Sequence, residues 1–197
     1  MGLRSFVTAT VIGACACAGT TASAEVIDFN GMFSVSDPVH VDGYSFRYLN
    51  RNGWAIGKPG GTIMGDFNNG TEAIAILDQV DRDMTIRMTH QGGELFDLLS
   101  FEVADLYTAA AGQMNIVVTG YYENGDIVTT SLSTSSTLYT SHLMRSTFVD
   151  LTAVEWHGTG VDGTQAVGFA LDNINAIPEP ASLGLLGAAA LLLRRRR

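Results

Sequence analysis

The chain is poor in the residues from which most metal sites and redox centres are built. It has two cysteines, Cys15 and Cys17, both within the first twenty residues of 197. Its four histidines, His40, His90, His142 and His157, form no pair at metal-ligand spacing. It contains no G-x-S-x-G, no H-E-x-x-H and no phosphate-binding Gly-rich loop, so the common hydrolase and nucleotide signatures are excluded. Basic residues are scarce, 11 against 20 acidic, for a net charge of −9. Such a surface repels nucleic acid. No long segment keeps a helical period, which excludes a helical bundle. The C-terminal apolar run, Ala181 to Leu193, would rise only about 20 Å as a helix, short of the roughly 30 Å hydrocarbon core.

What is present begins with two terminal labels. Met1 to Ala24 has the form of a secretory signal peptide. Arg4 supplies the positive start, Phe6 to Ala18 the apolar stretch, and Ala22-Ser23-Ala24 an A-x-A cleavage site that leaves Glu25 first. Ile12-Gly13-Ala14-Cys15 is a rival, lipoprotein-like site. At the other end stand Pro178-Glu179-Pro180, the apolar run and Arg194, Arg195, Arg196 and Arg197. Two prolines lock φ, so the motif is expected to be extended and exposed. The arginines favour a cytoplasmic end for the short helix that follows.

These three parts in this order resemble the PEP-CTERM sorting signal of Gram-negative bacteria. The resemblance covers 177–197, about a tenth of the chain. It implies that Pro178, Glu179 and Pro180 are acted upon by an exosortase, a membrane transpeptidase, after signal peptidase has removed the leader. It also implies transient membrane anchoring through the tail, then an outer-surface or matrix location among extracellular polysaccharide and biofilm.

Between the labels lies one domain, residues 25–177, long enough for a single good core. Removing Arg4, the four tail arginines and Glu179 leaves 6 basic against 19 acidic residues, a net of −13. This domain has no thiol, so no disulfide supports it. Short β-rich runs alternate with Asp, Gly, Asn and Thr clusters, the habit of an all-β sandwich. Strands are expected over 26–33, 39–49, 73–77, 84–89, 95–106, 115–122, 127–131, 148–156 and 167–174. Asp42-Gly43 marks a bend, and Asn124-Gly125 a type I′ hairpin turn. On the fifth run, Leu99, Phe101 and Val103 are expected to share a face. The segments Phe96-Asp97-Leu98-Leu99-Ser100-Phe101, Thr119-Gly120-Tyr121 and Gly168-Phe169-Ala170-Leu171-Asp172-Asn173-Ile174 resemble jelly-roll domains of the galactose-binding or carbohydrate-binding-module type. The expected fold is thus one jelly-roll-like β-sandwich, flanked by an N-terminal signal helix and a short C-terminal hydrophobic helix.

Several residues are candidates for chemistry. Asp66, Asn68 and Glu72 offer oxygens around Gly70, either as a Ca²⁺ loop or as an ordinary Asx-rich turn. The jelly-roll resemblance implies structural calcium at Asp172, with Asp28 on the neighbouring first strand; the alternative is an aspartate bonded to nearby backbone. Trp54, in a Gly-rich loop, is either a sugar platform or a loop anchor. Tyr121 and Tyr122 are further platforms, and Trp156 is read as core. No catalytic residue is assigned. The expected role is a structural or interaction component of the matrix. The alternatives are a carbohydrate-binding module with structural calcium and, last, a secreted hydrolase with a carboxylate pair among its many acids.

Overall fold

The computed structural model describes residues 23–30, 37–49, 71–78, 84–105, 114–134, 138–160 and 167–179. Every regular element among them is a strand, and every pairing is antiparallel. In chain order these are β1 (Glu25–Ile27), β2 (Val39–Val41), β3 (Tyr44–Tyr48), β4 (Ile74–Asp78), β5 (Met84–His90) and β6 (Phe96–Asp105). They continue with β7 (Met114–Tyr122), β8 (Ile127–Thr134), β9 (Thr140–Leu143), β10 (Leu151–Gly160) and β11 (Val167–Pro178). The helices expected at the two ends fall outside the described residues, and no helix among the described residues is long and apolar enough to cross a membrane.

The strands form two layers. One runs β2-β3-β5-β10-β7-β8. The other is β11-β6-β9, with β1 and β4 sharing the free edge of β11. A single pair, Leu151 with Phe96, stitches the layers together. This is the expected β-sandwich. Alternation along each strand fills the space between layers: Met84, Ile86 and Met88 of β5, Ile116 and Val118 of β7, and Val154 and Trp156 of β10 are all buried. Across the gap Trp156 meets Phe101 edge-to-face at 5.6 Å, and Tyr48 donates its hydroxyl to the Ala75 carbonyl. Trp156 is therefore core, as its spacing from Val154 suggests.

Turn chemistry fits the residues, at different places than expected. Asp42 and Gly43 both have positive φ, 45° and 76°, between Val41 and Tyr44, which pair directly. The two-residue I′-type turn is thus at Asp42-Gly43, and it splits the expected 39–49 run into β2 and β3. At the second hairpin only Gly125 has positive φ, 88°. Its N–H donates to the Tyr122 carbonyl, and the Tyr122 N–H donates to the Asp126 carbonyl, so the loop is a turn closed by a Gly bulge rather than a I′ turn. Leu99 is also corrected. It is half-buried while Leu98 and Phe101 are buried, because the alternation slips at Leu99-Ser100 where the β6–β11 register shifts. β9 lies inside a Ser/Thr-rich stretch that offers no apolar alternation, and it was not expected.

Candidate functional site

The outer face of the six-stranded layer carries the densest polar arrangement among the described residues. Because β5 buries Ile86 and Met88 and β10 buries Val154 and Trp156, the alternating residues Arg87, Glu155 and His157 lie on the opposite face. The direct cross-strand row is Arg47 (β3), Arg87 (β5), Glu155 (β10), Thr119 (β7) and Thr129 (β8). Glu155 is the hub. Its Oε1 accepts from Arg87 at 3.0 Å, and its Oε2 accepts from the Tyr121 hydroxyl at 2.6 Å. The Arg87 guanidinium sits 5.1 Å from the Tyr121 ring centre. The Tyr121 hydroxyl is pushed above its ordinary pKa, first by its bond to Glu155 and then by burial. The three side chains thus brace one another, and Tyr121 stands as a fixed aromatic on a polar sheet. One row along, Thr85 and His157 are linked at 2.9 Å. At the far edge Ser133 donates to Asn115 at 2.7 Å.

Tyr121 was a platform candidate in the sequence, and the structure places it on this face. Tyr122 turns the other way, half-buried, and donates to the Thr147 carbonyl. Trp54 lies outside the described residues. The Arg87–Glu155 pair could have been found in the sequence only with the β5–β10 register in hand.

A second polar cluster covers the outer side of the other layer. Asp172 is fully buried. One carboxylate oxygen accepts from the Thr71 hydroxyl and the other from the Asn173 N–H at 2.8 Å. Asn173, at a positive φ of 45° in the β11 bulge, donates its amide to Glu102 at 2.9 Å. Burial raises the Tyr139 hydroxyl pKa, and the Asp172 and Glu102 carboxylates raise it further. As expected, the first and last strands are neighbours: Ile27 pairs with Ile174. Asp28 accepts from the Asn30 N–H at 3.1 Å, and Asn30 in turn accepts from the Glu72 N–H at 3.2 Å. Asp28 and Glu72 are therefore joined through Asn30, while Asp66 and Asn68 lie outside the described residues. Among the described residues no group of three or more Asp, Glu or His converges as a metal site. The two oxygens of Asp172 are engaged by hydrogen-bond donors, which is the arrangement of a strand aspartate bonded to its neighbours.

At the Pro178-Glu179 segment, Pro178 of β11 is paired with Phe96 of β6, and the Glu179 N–H donates to the Leu95 carbonyl at 2.8 Å. The expectation of an extended motif holds for these two residues. That of free exposure does not, because both are half-buried along the edge of β6. The Glu179 carboxyl is raised to about 7, chiefly by sharing a hydrogen bond with Asp150 and by partial burial. Two carboxyls in direct contact leave no room for a scissile bond, whereas glycoside hydrolysis needs about 5–10 Å between them. Ala24 precedes β1 and is exposed; Ala22, Pro180 and the four terminal arginines lie outside the described residues.

No family model and no curated protein matches the chain. Solved structures do. An exo-beta-agarase aligns over 80% of this chain at 13% identity and a TM-score of 0.52. A variant of CBM29-2, a family 29 carbohydrate-binding module, aligns over 79% at 14% identity and 0.46, covering 85% of that module. TmCBM61, solved with beta-1,4-galactotriose, aligns over 69% at 9% identity and 0.39. This chain spans 25% of the agarase's length. The likeness to the agarase shows a shared β-sandwich fold.

Proposed function

We propose that the β-sandwich binds polysaccharide through the outer face of its six-stranded layer and has no catalytic role. The observation that carries this reading is the braced Tyr121, held by Glu155 and Arg87 amid a field of Thr, Ser and Asn side chains. A fixed ring can stack on the apolar face of a sugar, and the surrounding hydroxyls, amides and charged groups match its hydroxyls. Pre-organisation matters because it removes the ordering cost of binding. The β-sandwich fold shared with a part of an agarase is compatible with such a module.

The export reading completes the proposal. The leader would be removed at Ala24 and the C-terminal segment would serve as a PEP-CTERM-type address, placing the domain at the outer surface or in the extracellular matrix. A matrix role and glycan binding are one function if the glycan is part of that matrix.

The test is affinity electrophoresis of the full chain through gels containing individual neutral and acidic polysaccharides. Retardation is expected with at least one glycan, and Tyr121→Ala should abolish it while keeping the melting transition. If no glycan retards the wild-type chain, the reading fails.

A further inference from the structure

We infer that this face carries a subsite for an anionic sugar substituent at Arg47, so that the preferred ligand is an acidic oligosaccharide. The inference rests on the glycan-binding reading above and goes beyond it to the ligand's charge.

Residues 25–177 hold six basic side chains against 19 acidic. Two of the six, Arg47 and Arg87, stand directly opposite each other on β3 and β5, on the outer face. Like charges in that position destabilise a sheet. Arg87 is compensated: Glu155 accepts from it at 3.0 Å, and the Tyr121 ring lies against its guanidinium. Glu155 cannot serve Arg47 equally, because its second oxygen is taken by the Tyr121 hydroxyl. Arg47 is exposed, and it has no ion-pair or hydrogen-bond partner among the described residues. Arg47 is therefore an uncompensated guanidinium beside a neutral, braced Arg–Glu–Tyr group.

Geometry sets the ligand's size and chemistry. From β3 through β5 and β10 to β7 are three strand spacings, about 14 Å. The backbones of β3 and β7 stand that far apart across the face, so an oligosaccharide stacked on Tyr121 can extend to Arg47. A guanidinium presents a planar fork of donors that matches a carboxylate or a sulfate with two parallel bonds. The shared chemistry is a flat or tetrahedral oxyanion on a sugar ring, either a uronate or a sulfate ester. The domain's net negative charge opposes polyanions at long range, but at about 0.15 M salt that field is screened within about 8 Å, whereas a direct contact to Arg47 is not.

Pectin tests this cleanly, because one backbone can be prepared with free or methyl-esterified carboxylates. Binding of the full chain is measured at 0.15 M NaCl with EDTA, which removes cation bridging through the acidic surface. Carrageenan is the sulfate arm and agarose the neutral one. At least one acidic polymer, polygalacturonate or carrageenan, is expected to bind about tenfold more tightly than its neutral counterpart, the effect of about 1.4 kcal/mol. Arg47→Gln should erase that preference, lowering acidic binding about tenfold more than neutral binding; Arg47→Lys should keep part of it. Tyr121→Ala should lose acidic and neutral ligands alike. Equal binding of charged and neutral forms, or an Arg47→Gln loss that is the same for both, overturns the subsite while leaving the glycan reading intact. Failure to bind any polymer overturns both.

Discussion

Asp172 shows how a single residue can carry two interpretations with opposite tests. In the sequence it sits in a Leu-Asp-Asn run where the jelly-roll resemblance implies a calcium ligand. In the fold it is fully buried and bonded to the Thr71 hydroxyl and the Asn173 N–H. Both carboxylate oxygens accept hydrogen bonds, which satisfies them without deciding between the two readings. Replacing it by asparagine keeps the shape but turns one acceptor into a donor, which should cost about 1–3 kcal/mol. The hydrogen-bonding role predicts that thermal melts of Asp172→Asn show the same loss in EGTA and in added Ca²⁺. A loss that appears only with Ca²⁺ would assign the carboxylate to a metal instead. Asn173 is adjacent in the chain, but Thr71 is 101 residues away, and no local pattern announces that partner.

At the scale of elements, what was legible in the sequence followed the strength of local alternation. β5 is plain because Met84, Ile86 and Met88 alternate with Thr85, Arg87 and Thr89: the apolar face is buried, and Arg87 and Thr89 are partly exposed while Thr85 is covered. β9 was invisible: Thr140 to Leu143 has no apolar stripe and is a strand because Ser100 to Val103 of β6 offers it a ladder. The register that creates the Arg47–Arg87–Glu155 row was likewise unreadable, since it depends on pairing among strands distant in sequence. Gly158 is a further case. It sits in β10 where Val154 and Trp156 lead one to expect a third large apolar residue. The structure explains the glycine: a Cβ there would come within 2.8 Å of two ring atoms of Phe169, itself fully buried. The two layers close up at this point only because β10 has no side chain. Gly158→Ala should therefore destabilise the domain by about 1–3 kcal/mol. The check is a urea melt of this variant beside Phe169→Leu/Gly158→Ala. A smaller side chain at 169 should recover part of the loss, and an absence of recovery would show that the glycine serves the backbone and not the layer contact.

For the molecule as a whole, the end of β11 ties stability to pH through a motif that the sequence alone placed in solvent. Pro178 continues the ladder with Phe96, and Glu179 hangs on the Leu95 carbonyl beside Asp150 and Asp97. Asp150 is fixed in turn by its N–H to the Asp97 carboxylate at 3.0 Å. The Glu179 carboxyl is raised to about 7 from an ordinary 4.5, so the folded state holds a proton that the unfolded chain has already released. By linkage, the stability this proton confers is complete below about pH 4.5 and is lost as pH rises through about 7. His142, stacked on Phe101, works in the opposite sense. Burial lowers its pKa below the ordinary 6.5, so the unfolded state binds a proton that the folded state refuses, and stability falls as pH drops below that value. The two slopes oppose each other between pH 4.5 and 7, and they separate by mutation. Glu179→Gln mimics the protonated carboxyl. It should melt with the wild type near pH 4.5 and above it at pH 8. His142→Phe should gain on the wild type only below about pH 6.5. Thermal melts of the three proteins from pH 4.5 to 8 decide the matter. If the Glu179→Gln difference does not change with pH, the carboxyl contact at the end of β11 does not form in solution, and Pro178-Glu179 is as free as its two prolines suggest.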